Sequence, residues 1–142
     1  MPDLTLDAAQ SVIAGALAHA RREKLKPLAV AVLDARGAIK AAAVEDGTSL
    51  RRFEVAHGKA YGALALGMGS RSIQKRAEQQ PTFVVAVTHV TGGSLVPVAG
   101  GVLIKDGDAL VGAIGISGDT SDNDERAALA GIAASGLIGQ PE

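Results

Sequence analysis

The sequence contains no cysteine and no tryptophan, and its only Phe and Tyr residues are Phe53, Tyr61 and Phe83. Without thiols there are no disulfides, no iron–sulfur clusters and no cysteine-based zinc sites. With so few rings, the core must be assembled from Ala, Val, Ile and Leu. Nothing supplies the stacked aromatic platform of a single-strand nucleic-acid binder. A basic excess is missing too: 14 Lys and Arg stand against 15 Asp and Glu, a formal net charge of −1, so no nucleic-acid partner is expected. The longest stretch without a formal charge ends at Ile104 and is broken by Pro97, His89 and four glycines, so no membrane span is expected either. Residues 1–7 have neither a basic n-region nor an apolar h-region. A cytoplasmic location is the expectation that follows.

What is present reads as a folded chain. At 142 residues, with 47% hydrophobic and 20% charged side chains, the composition is globular, and residues 1–142 are read as a single domain. Apolar positions at Ala9, Val12, Ile13, Ala16, Leu17 and Ala20 repeat at helical spacing and predict a helix over residues 6–24. Residues 28–34 and 38–44, separated by a turn with Gly37, predict a β-hairpin. A second helix is predicted over residues 50–66, capped by Ser49 and stopped at Gly67, and a short charged one over 71–80, halted by Pro81. Residues 82–90 favour a strand by propensity, although the same apolar positions cover part of a helical face. Residues 95–98 and 101–105 read as short strands, Asp106-Gly107 as a hairpin turn, and 109–117 as the next strand. A last helix is expected from the capping signal at Ser121 to about residue 135, with Gly136 at its end. The mixture of hairpins and flanking helices is an α+β layer architecture.

Four features carry potential chemistry. The acidic run from Asp119 to Glu125 can be read as a calcium loop, but Asp124 stands where an EF-hand needs glycine, and a helix cap is the better reading. Gly112, Gly115 and Gly118 precede a helix but lack the dinucleotide spacing, so they mark close packing rather than a phosphate cradle. His19, His57 and His89 form no zinc-binding pair, although each alone can act as a metal ligand or a general base. The richest cluster runs from His57 to Tyr61, where His57 and Tyr61 share one helix face and Lys59 points elsewhere. A buried Lys59 would need a carboxylate, with Asp34, Glu45 and Asp46 the candidates; a solvated helix face is the other reading of the cluster.

Several segments together resemble the GlcG/HbpS-like family, which includes the PduO C-terminal domain. They are the strand Ala29 to Asp34 followed by Gly37, the loop Glu45-Asp46-Gly47, the helix segment Gly58-Lys59-Ala60-Tyr61, and the stretch from Pro97 through Gly100-Gly101 to Gly118, followed by Asp124-Glu125. The resemblance implies profilin-like α-β-α layers around an antiparallel sheet of about five strands, and it makes residues 82–90 a helix. It also implies a homo-oligomer that binds a small-molecule ligand, in some members haem. On that basis one reading is a binding protein for haem or a related tetrapyrrole, with His57 the metal ligand and a pocket near Glu45, Asp46, Tyr61, Gly100 and Gly101. The alternative is a small-molecule enzyme (an isomerase, tautomerase or lyase) acting on an acidic catabolic metabolite. There Lys59 and either Arg51 or Arg52 would hold a carboxylate while His57 or Glu45 moves a proton.

Overall fold

The computed structural model describes residues 3–142. The chain runs α1 (Leu6–Arg22), β1 (Ala29–Asp34), β2 (Ile39–Val44), α2 (Arg52–Leu66), α3 (Ser70–Gln79), α4 (Pro81–Val90), β3 (Gly101–Asp106), β4 (Ala109–Ser117), α5 (Ser121–Ala134) and β5 (Ile138–Gln140). The five strands pair antiparallel in the order β2-β1-β4-β3-β5. The sheet lies between α1 and α5 on one face and α2 on the other, the three layers that the family resemblance implied.

The two faces differ in side-chain size, and this sets the depth of each helix layer. Side chains alternate across a strand. In β1, β3 and β4 the alternation sends Val30, Val32, Val102, Ile104, Ile114 and Ile116 to the α1/α5 side. The opposite face carries Ala29, Ala31, Ala113, Gly101 and Gly115, with Leu33 and Leu103 as its larger members. Bulky residues hold α1 and α5 off the sheet, whereas small ones let the α2 backbone come down onto it. A Cβ added at Gly115 would run into the Ala56 carbonyl, and one at Gly101 into that of Lys59.

Some local expectations change. The α2 helix starts at Arg52 without a side-chain cap: Ser49 Oγ accepts from Arg52 Nε at 3.2 Å instead of from the helix backbone. Residues 95–98 form no strand, because Val96 N–H donates to Gly58 O of α2 at 3.1 Å and Leu95 packs with Ile73 and Val84. The N-cap of α5 is Thr120, whose hydroxyl accepts from Asn123 N, rather than Ser121. Residues 82–90 are helical, as the resemblance implied and against strand propensity. Pro81 opens α4 in the first turn, where its missing N–H costs nothing. Strand β5, at the sheet edge beside β3, has no sequence signal that stands out from its neighbours.

Candidate functional site

Helix α2 positions the site. Its Ala and Gly positions, Ala56, Gly58, Ala60, Gly62 and Ala63, are buried against the sheet and the 94–96 segment, and Gly67 in the left-handed region (φ 69°) closes the helix. On another face, Phe53, His57 and Tyr61 follow at four-residue intervals and form a ladder of rings. His57 stacks on Tyr61 with centroids 5.5 Å apart and planes inclined at 20°, and Phe53 lies 6.3 Å from His57 on the other side.

A cleft of about 440 Å³ opens beside this ladder. Phe53, Glu54 and His57 form one wall, Ile39 of β2 another, and Gly92, Gly93 and Ser94 a third. Both glycines adopt positive φ, at 70° and 93°, and no neighbour occupies the space where their side chains would stand. The wall they form is therefore bare backbone. A cleft of this size lies in the usual range for small-molecule sites, about 300–1,000 Å³.

His57 is held within that wall. Its Nδ1 lies 2.7 Å from Ser94 Oγ. Burial pushes the imidazole pKa below its ordinary value, which favours the neutral ring at neutral pH. With the proton on Nδ1, the ring donates to Ser94 and leaves the Nε2 lone pair for a ligand, the arrangement that orients metal-binding histidines. Glu54 of that wall pairs with Arg51 at 3.2 Å, and both are exposed.

The other residues singled out in the sequence lie elsewhere. Lys59 is 3% exposed and projects away from the cleft, donating to Ile116 O at 2.8 Å and to Asp124 at 3.2 Å. Its carboxylate partner is thus Asp124, not Asp34, Glu45 or Asp46. The nearness of Asp124 favours the charged lysine, but burial outweighs it and the Lys59 pKa falls; burial likewise raises that of Asp124. Asp34 instead accepts from the Arg36 and Ala38 N–H groups of its own turn. Glu45 accepts from Leu28 N–H at 2.8 Å and Arg21 at 3.1 Å, tying β1 to the end of α1. Asp46 is exposed in the β2–α2 loop. Tyr61 rests on the β1–β2 turn at Gly37. Gly100, at φ 125°, lies against Lys59 Nζ and Ile116 O, and Gly101 N–H donates to Ser70 Oγ at 2.7 Å. Both glycines make room for the helix and the lysine. Arg52 points to a different hollow and donates to Ser49 and Ser117.

Of the residues chosen from sequence, His57 and Tyr61 come together in the ring ladder. Phe53, Ile39, Ser94 and the Gly92-Gly93 pair were missed. The spacing of Phe53 four residues before His57 was visible in the sequence, whereas the approach of residues 92–94 is a tertiary contact. Among the described residues no group of three or more His, Asp and Glu side chains is placed to hold a metal ion. No helix there is long and apolar enough to cross a membrane.

The model of the haem-degrading HbpS-like family matches residues 4–133. The chain belongs to this HbpS-like family. No curated protein matches it significantly by sequence. Among solved structures, the fold of this HbpS-like chain is similar to HbpS, with 29% identity, a TM-score of 0.82, and 94% of this chain and 90% of that chain covered. A double mutant of Streptomyces reticuli HbpS gives 28% identity and a TM-score of 0.81 over 94% and 87% of the two chains. The fold is also similar to that of PduOC in its haem complex, at 23% identity and a TM-score of 0.85 over 96% and 97%.

Proposed function

We propose that this protein binds haem or a related tetrapyrrole in the Phe53–His57 cleft, where His57 would hold the metal. The observation that carries the reading is an imidazole in hydrogen-bond contact with Ser94 Oγ, flanked by the Phe53 and Tyr61 rings, in a cleft of about 440 Å³. Membership in a family described by haem degradation supports it, as does similarity of fold to a protein crystallised with haem. The residues suit the group: Phe53 and Ile39 offer apolar contact to a macrocycle, the Gly92-Gly93 backbone leaves space beside it, and the one acid of the lining, Glu54, is neutralised by its pair with Arg51. Bound haem would supply the redox chemistry of its iron, while the Ser94 contact would orient the His57 ring toward it.

Titration of the purified protein with hemin tests the reading. A saturable Soret shift is expected, and His57→Ala should change its position or abolish it. Ser94→Ala should weaken binding about 10- to 100-fold, the usual cost of losing an orienting partner. An identical spectrum from His57→Ala would remove the assignment.

We also infer a homo-oligomer. Helix α4 packs mainly on α3 and leaves Phe83, Val85 and Val90 exposed, an apolar surface suited to a second copy.

A further inference from the structure

A second hollow, of about 210 Å³, lies between the β2–α2 loop and the β4–α5 turn, bounded by Lys26, Pro27, Thr48, Ser49, Arg52 and Gly118. No acidic side chain lines it. We propose that it is a binding site for a small organic carboxylate, with Arg52 as the principal contact. This site is separate from the His57 cleft and does not depend on the haem reading.

A guanidinium has five N–H donors and always carries its charge. In Arg52, half-buried, Nε donates to Ser49 Oγ and Nη1 to Ser117 Oγ, both at 3.2 Å. Both partners are neutral, and three donors are left over. Among the described residues no carboxylate lies within ion-pair distance of Arg52 or of Lys26.

Asp46, next to Gly47 in the same loop, is exposed and does not line the hollow, and three other acids nearby are committed elsewhere. Glu45 accepts from Leu28 N–H and Arg21. Asp119 accepts from the Lys26 and Thr120 N–H groups and from Asn123 Nδ2, while Asp124 is paired with Lys59. The charge of Arg52 is felt in the interior, where it helps push the Lys59 pKa down. An incoming carboxylate would supply the missing countercharge and accept two parallel N–H bonds from the free end of the fork, the geometry in which arginine holds carboxylates. Thr48 and Ser49 line the same hollow, and Ser49, whose Oγ accepts from Arg52, keeps its own O–H proton for a ligand, whereas the Thr48 hydroxyl donates to Glu45 O. Its small volume favours a compact acid over a nucleotide.

Amide and arginine-side-chain NMR titrations with sodium acetate, sodium succinate and sodium phosphate, at ionic strength balanced with sodium chloride, test the proposal. Saturable shifts are expected at Gly47, Thr48, Ser49, Gly118 and Arg52 Nε with acetate or succinate. Arg52→Gln should weaken binding about 10- to 100-fold, the equivalent of losing hydrogen bonds to a charged group. Arg52→Lys should restore only part of it, and Lys26→Gln, at an exposed position, should weaken it less than Arg52→Gln does. Thermal unfolding of each variant separates lost binding from lost folding. Unsaturable shifts, equal shifts in Arg52→Gln, or binding of phosphate alone would overturn the proposal. Hemin binding should survive Arg52→Gln, so failure at this site and failure of the haem reading are distinguishable.

Discussion

At the residue scale, His57 and Lys59 show how two positions on one turn of helix acquire opposite roles. His57 lies at the edge of the layer, where burial lowers its pKa and a hydroxyl fixes its ring. Hemin affinity should therefore hold at neutral pH and fall as acid protonates the imidazole, at pH values below the ordinary histidine pKa of about 6.5. Spectral titrations at several pH values check this, and an affinity unchanged through that range would exclude His57 as the ligand. Lys59 lies inside, tied to Asp124 and to the carbonyl of Ile116. Because burial outweighs attraction for both partners, the pair matters most when it is broken. Lys59→Met should cost about 3–5 kcal/mol by leaving a buried carboxylate alone. Adding Asp124→Asn should recover part of that loss, since a neutral amide is cheaper to bury and still accepts from the Asp119 N–H. Denaturant unfolding of both variants measures the difference.

At the element scale, the contact of α2 with β4 and β3 depends on glycines that face backbone rather than side chains. Gly115→Ala would force the new methyl into the Ala56 carbonyl and lift the helix that carries His57. A destabilisation of about 3 kcal/mol is expected, the upper end of ordinary overpacking, together with weaker hemin binding. Gly67→Ala meets no neighbour and strains only its left-handed backbone, for about 1 kcal/mol. If thermal and denaturant unfolding give equal losses for the two variants, helix approach does not set the cost at Gly115. Helices α1 and α5 repeat the device on the other face, where a Cβ at Gly131 would strike the Val12 carbonyl.

For the whole molecule, α4 is the element least explained by the fold of one chain. Only Val84 is buried in it, and Val85 and Val90 are 64% and 84% exposed. Gly92, Gly93 and Ser94 follow directly, so an interface on α4 would lie close to the His57 cleft. Val85→Lys combined with Val90→Lys should reduce the oligomer to smaller species in light scattering while leaving each chain folded. A wild-type protein that is monomeric across the micromolar range would rule out this interface.

Composition and periodicity alone determined the α+β class, most helix and strand positions, the tight turns at Gly37 and Gly107, and the placement of His57 and Tyr61 on one helix face. These are local matters, decided within a few residues by side-chain size, branching and glycine. Helix α4 and the profilin-like α-β-α order of the layers were read through family resemblance; the apolar run at residues 82–90 satisfies strand propensity equally well. Only the tertiary structure decided that Lys59 pairs with Asp124, that Gly100 and Gly101 serve packing, and that Ser94 meets His57. Those contacts join residues far apart in the chain, and their partners are chosen by which small side chains let two backbones approach, a property of the assembled layers that no local pattern encodes.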